Sequence, residues 1–154
     1  MCLVIDTNIF FSVFDEEAKE HSNFVPVRRW LMLGRGKMIY GGAKYNTELR
    51  GGKYTGVLNE LGRMGKLVKL PAASVDKYAA ALKTKIPDAD FDDEHIVALV
   101  ALSKCCVVCT WDKRAFRYLK RKDIYPKGVK PPKIYQWKSN ARLCCDDHVV
   151  TACR

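Results

Sequence analysis

A chain of 154 residues is long enough for one domain with an apolar core and too short for two. Its 48% hydrophobic and 29% charged residues exclude a disordered chain, and no apolar run reaches the ~20 residues of a membrane span. The net charge of +10 favours a polyanionic partner, with nucleic acid the natural one.

The opening Met-Cys-Leu-Val-Ile meets an acid, Asp6, too soon for a signal-peptide core, so a cytoplasmic protein with no membrane contact is expected. The spacing predicts a strand over Cys2–Asp6 and helices over Thr7–Phe14 and Phe24–Leu33. A strand at Lys37–Tyr40, helices at Ala43–Arg50 and Thr55–Met64, and a strand at Leu67–Leu70 follow. Val75–Lys85 reads as a helix with Val75, Tyr78, Ala79 and Leu82 as its apolar stripe. Asp93–Lys104 reads as another, with Ile96, Leu99, Val100 and Leu102. Cys105–Thr110 is a strand, Lys113–Lys120 a helix, and Gly128 with Pro131-Pro132 a loop before a last strand at Lys133–Trp137. Residues 1–138 therefore form the domain, and 139–154 are a tail with no structure assigned.

Short apolar strands without polar alternation belong to a sheet covered on both faces. Their alternation with helices predicts an α/β three-layer sandwich around a mostly parallel sheet.

In such a sheet, ligand sites gather beyond the carboxyl ends of the strands. Asp6 closes the first strand, and Asp112 follows the strand Cys105–Thr110 in the same way. Asp93 opens a helix of about 18 Å that leads into a strand of about 20 Å, so the helix start and the strand end share one edge. Glu48, about two turns into the helix after the second strand, can project over that edge. Each acid also has a local explanation: Asp6, Asp93 and Asp112 as helix N-caps, Glu48 as a solvated helix acid. Asp92 competes with Asp93 as the acid that matters. Clustered carboxylates repel unless cations bind them or their pKa values rise, and hard oxygen donors select Mg²⁺ or Mn²⁺. His95, two residues beyond Asp93 on a helix, is expected on another face.

The basic segment Lys113, Arg114, Arg117, Lys120 and Arg121 follows Asp112 directly and offers a track for phosphates. Tyr118, Tyr125, Tyr135 and Trp137 interleave with it, as base-stacking rings or as core. The seven cysteines are odd in number, and Cys106-Val-Val-Cys109 and Cys144-Cys145-Asp146-Asp147-His148 with Cys153 are poor zinc motifs. All are read as reduced small hydrophobes.

Leu3-Val4-Ile5-Asp6-Thr7-Asn8, Asn46-Thr47-Glu48-Leu49, Asp93-Glu94-His95-Ile96-Val97-Ala98 and Thr110-Trp111-Asp112 with Phe116 together resemble the four acidic motifs of the PIN-domain family, in order, over residues 3 to about 120. Departures are the acid-rich stretch Asp88–Glu94, the Gly51-Gly52 and Lys53–Gly56 segment crowding Glu48, and a tail without counterpart. The resemblance implies a metal-dependent endoribonuclease, with Asp6, Glu48, Asp93 and Asp112 as metal ligands and catalytic residues. Mg²⁺ or Mn²⁺ would be the cofactor, and Asn8 and Thr110 would donate to the acids. It further implies an RNA substrate and a homodimer. The family includes VapC-like toxins, so a toxin's role with an antitoxin partner is among the expected functions. The competing expectations are a catalytically silent PIN-fold module that binds RNA or protein, and a flap-type DNA nuclease, which needs more chain.

Overall fold

The computed structural model describes residues 2–50, 54–145 and 153. Five strands form one parallel sheet: β1 (Cys2–Ile5), β2 (Lys37–Tyr40), β3 (Leu67–Lys69), β4 (Val107–Cys109) and β5 (Lys133–Tyr135), in the order β3-β2-β1-β4-β5. Every pairing is parallel, with Ile5 opposite Cys109 and Cys109 opposite Tyr135. β1 and β4 are wholly buried, as uninterrupted apolar strands in a covered sheet should be. Each such side chain contributes roughly 1.5–3 kcal/mol by leaving water. The fold is α/β, with flanking helices and an all-parallel sheet.

Among the described residues, seven α-helices connect the strands: α1 (Phe10–Phe14), α2 (His21–Met32), α3 (Ala43–Leu49), α4 (Thr55–Arg63), α5 (Ala72–Lys85), α6 (Glu94–Ser103) and α7 (Lys113–Leu119). The connection β1 to β2 steps one way across the sheet and β3 to β4 steps back. Right-handed crossovers therefore place α1–α2 and α6 on opposite faces. α1 packs on α2, and α6 packs on α5, β1 and β2.

α6 is buried almost all round, which fits its run of Ile, Val, Ala and Leu. Leu102 departs from the expected stripe and is 39% exposed. The buried ridge runs Ile96, Leu99, Val100, Ser103, one residue past Leu102, and the Ser103 hydroxyl donates to the Leu99 carbonyl at 2.5 Å. Lys104 ends the helix in the left-handed region, at φ 59°, and this turn shortens the expected strand to Val107–Cys109. α2 begins at His21, three residues early, which leaves Pro26 in its second turn without an amide to donate. β5 stops at Tyr135, and a 3-10 helix over Lys138–Leu143 packs on α2 and β5 across the expected domain boundary.

Gly42, at φ 83°, lets α3 start with only two residues between it and β2; a Cβ there would lie 2.7 Å from Val75 Cγ1. That tight turn brings Lys44 and Glu48 over the sheet edge. Among the described residues, no helix is long and apolar enough to cross a membrane.

The cysteines depart in part from expectation. Cys105 and Cys109 are buried thiols and Cys106 is half-buried, but Cys153 is joined to Cys2 by a disulfide, with Cα atoms 6.0 Å apart. Partners 151 positions apart leave no trace in local spacing. Asp146, Asp147 and His148 lie outside the described residues.

Candidate functional site

Asp6, Glu48, Asp93 and Asp112 border one cleft of about 180 Å³ at the carboxyl edge of the sheet, with Thr7, Asn8, Lys44, Asp92, His95 and Arg114. The edge follows from the register. Ile5 pairs with Cys109, so Asp6 and Thr110 leave adjacent strands at the same level. The Thr110 hydroxyl donates to Asp6 Oδ2 at 2.6 Å, and the Asn8 backbone amide donates to Oδ1 at 3.2 Å. Asn8 thus reaches Asp6 through its main chain, while its side chain is exposed. Asp6 is 5% exposed, and burial lifts its pKa although both hydrogen bonds pull it down.

Asp112 has two further tasks. It caps α7 by accepting from the Arg114 amide at 2.8 Å, and the Arg114 guanidinium grips its two oxygens at 3.2 and 2.9 Å. The guanidinium holds the Asp112 carboxyl below the usual carboxylate range. The Asp112 amide donates to Thr110 Oγ1 at 3.0 Å, so one hydroxyl ties the two strand ends together.

Asp93 precedes α6 as its N-cap residue, yet its side chain makes no capping bond. Among the described residues no side-chain hydrogen bond or ion pair reaches its carboxyl. Burial pushes its pKa to about 7, and Asp6, Asp92 and Asp112 add to the rise. The cap explanation that suits Asp6 and Asp112 therefore fails for Asp93.

Carboxyl oxygens of Asp92, Asp93 and Asp112, one from each, lie within 4.8 Å of one another. Asp6 and Glu48 stand outside that tightest trio and border the same cleft. Glu48 is placed by the Thr7 hydroxyl, which donates to Oε2 at 2.6 Å, and by His95 Nε2 at 3.5 Å. The nearness of His95, with the Thr7 bond, holds its pKa down against partial burial.

Sequence reasoning missed three groups here. His95 is 4% exposed and faces the cleft rather than turning away. Because Asp93 caps the helix instead of lying within it, helical phase does not separate the two. Lys44 sits four residues before Glu48, on the same face of α3, a spacing that was legible. Its ammonium donates to the Asp92 carbonyl and lies 3.6 Å from Glu94 Oε1. Glu94 Oε2 and both ring nitrogens of His95 are buried without a hydrogen-bond partner. Thr7, the residue after Asp6, is the third.

The basic track is less free than its sequence suggests. Arg114 holds Asp112, Arg117 pairs with Asp88 and Asp90 at 3.3 and 3.0 Å, and Arg121 pairs with Asp123 at 2.6 Å. Lys113 and Lys120 are exposed and, among the described residues, in no ion pair, Lys120 lying over the Phe116 ring. Tyr118, Tyr125 and Tyr135 are core residues; Trp137 is 45% exposed.

The cleft has the donor set of a hard-cation site, held by strand ends and one helix start. No family model, no curated protein and no solved structure matches the chain.

Proposed function

We propose that the chain is a divalent-cation-dependent ribonuclease of the PIN type, hydrolysing RNA phosphodiester bonds at the cleft of Asp6, Glu48, Asp93 and Asp112. The observation that carries this reading is Asp93. A carboxyl with no capping bond, whose pKa burial and three neighbouring acids push to about 7 against the pull of His95, is destabilising in the bare protein unless something replaces its proton. A divalent cation is the natural replacement. The residues fit one: the donors are carboxylate oxygens, three already close together, and buried Glu94 Oε2 lacks a partner nearby. Asp93, Asp112 and Asp6 would hold it, with Asp92 or Glu48 completing the set.

A cation bound there would lower the pKa of water and offset charge on the reacting phosphate. The chain's own groups do the positioning. Thr110 and the Asn8 amide fix the Asp6 carboxylate, and Thr7 and His95 fix Glu48. Lys44 places a positive charge at the rim, where an approaching phosphate needs it. Lys113 and Lys120 extend attraction along α7.

The test is incubation with single-stranded RNA and Mn²⁺ or Mg²⁺, repeated with EDTA and with Asp93→Asn and Asp6→Asn. Cleavage that depends on the cation and disappears in both variants is expected. The Arg114 grip on Asp112 favours a second reading, a PIN-like module that binds RNA or protein without cutting. Tight RNA binding with no cleavage by the wild type would select it.

A further inference from the structure

Beyond the acidic cleft, the same sheet edge continues into a pair of indoles. Cys109 pairs with Tyr135, so Trp111 and Trp137, each two residues past its partner in that register, leave β4 and β5 at one level. Their ring centroids are 6.1 Å apart, with planes 37° off parallel. The inner ring is fixed: Trp111 Nε1 donates to the Gln136 carbonyl at 3.2 Å, and its ring meets the edge of buried Phe24 at 5.0 Å. The outer ring is carried on a fixed backbone, since Asn140 Oδ1 accepts from the amides of Gln136 and Trp137 at 3.1 and 3.2 Å. Trp137 itself remains 45% exposed.

Nothing in folding requires a large apolar ring held rigidly in water, and losing that area from solvent would be favourable. Charge around it selects the class of occupant. Residues 124 to 145 contain no Asp or Glu, and Lys138, next to Trp137 in the chain, and Arg142 are exposed and, among the described residues, in no ion pair. Lys113 stands next to Trp111 and Asp112 in the same state. Aromatic faces flanked by exposed cations suit single-stranded nucleic acid, whose bases stack while its phosphates meet cations. An apolar protein segment would gain from the rings and nothing from the charge.

We infer that Trp137, backed by Trp111, is a stacking platform for an unpaired RNA base beside the scissile phosphate. The placement rests on the nuclease reading. Asp6 on β1 and Trp137 after β5 are two strand spacings apart, roughly 10 Å, so the stacked base belongs to a nucleotide close to the cut. The platform sets substrate class: single strands bind, whereas duplex bases, stacked on one another, offer it no face.

The full-length protein, in EDTA so that nothing is cut, is titrated with a single-stranded RNA octamer while tryptophan emission is followed. Quenching is expected, with affinity falling about tenfold in Trp137→Ala and largely kept in Trp137→Phe. Octamers with one abasic unit are scanned along the strand. One position should cost the wild type a similar factor and cost Trp137→Ala nothing more. Equal RNA affinity of Trp137→Ala and wild type, with both folded by circular dichroism, overturns the platform, as does equal affinity for single strand and duplex. The cleavage assay separates the two readings. If the wild type cuts and Trp137→Ala keeps its KM, the platform fails and the nuclease stands. If the wild type never cuts yet the abasic scan behaves as expected, the nuclease fails and the base-stacking site stands.

Discussion

The two ends of the sheet differ in a way that size alone misrepresents. At the amino end, Lys104, Cys106 and Lys133 with Val129, Lys130 and Pro131 line a cavity of about 440 Å³, the roomier of the two. At the carboxyl end, the cleft of about 180 Å³ holds the carboxylates. The amino end is apolar with exposed lysines around it. The carboxyl end concentrates acids that burial and mutual repulsion disturb. Electrostatic cost, rather than volume, is what marks the proposed site.

The largest expected effect breaks or keeps that contrast directly. Asp93→Asn or Asp6→Asn should lower the rate of Mn²⁺-dependent RNA cleavage roughly a hundredfold or more, about 3 kcal/mol of transition-state stabilisation. Lys130→Ala and Lys133→Ala, at the roomier end, should leave kcat unchanged. A loss of similar size from the lysine variants would mean that the reaction has been assigned to the wrong edge.

The amino end should instead matter for stability. Cys2 opens β1 there, and its disulfide to Cys153 closes nearly the whole chain. Cys153→Ser should cost about 3 kcal/mol in urea unfolding, chiefly by freeing the unfolded chain. Cleavage by the folded protein should not change. Activity falling in step with the disulfide would show that the two ends are coupled.

A smaller effect should appear as a pH dependence. Asp93 titrates near 7 in the folded protein and near 3.9 when unfolded, so between these values the folded form holds the extra proton. Stability without metal is therefore full below about pH 4 and falls as pH rises through 7, by about 2 kcal/mol once residual solvent is allowed for. Asp93→Asn should flatten this slope, and Mg²⁺ or Mn²⁺ should reverse it in the wild type alone. Thermal melts across pH with and without cation measure both. A melt of the metal-free wild type that stays flat from pH 4 to 8 contradicts the perturbed carboxyl.

What the sequence could show of this edge has a physical pattern. β1 and β4 were legible because buried parallel strands are continuous apolar runs, and an acid ending each run marks where the chain leaves the core. Asp93 was legible because the helix it precedes leads back into β4, although that strand is shorter than expected. Arg114 gripping Asp112, Lys44 reaching Asp92 and Glu94, and His95 turning into the cleft were not. Each depends on side-chain direction or on one residue of helix phase at a cap, which composition and spacing leave free. The run of positive charge after Asp112 is partly neutralised on folding, which spacing does not show either. Its arginines find acids in Asp88, Asp90, Asp112 and Asp123 once the chain is folded.

The mildest of these changes acts on the site without touching an acid. Thr110 bridges the two strand ends, donating to Asp6 Oδ2 and accepting from the Asp112 amide. Valine has nearly the same outline, so Thr110→Val preserves the bulk at a position only 1% exposed while it removes both bonds. Asp6, already raised by burial, loses a bond that pulls its pKa down, so it should titrate higher and bind cation more weakly at neutral pH. Cleavage should fall about tenfold at pH 7 and recover partly at higher pH or higher Mn²⁺, as expected when the hydroxyl acts through Asp6. Thr110→Ser, which restores the donor, should bring back most of the rate. If valine and serine are equally impaired at every pH, the methyl group is what matters at Thr110, and the hydroxyl bridge does not organise the cleft.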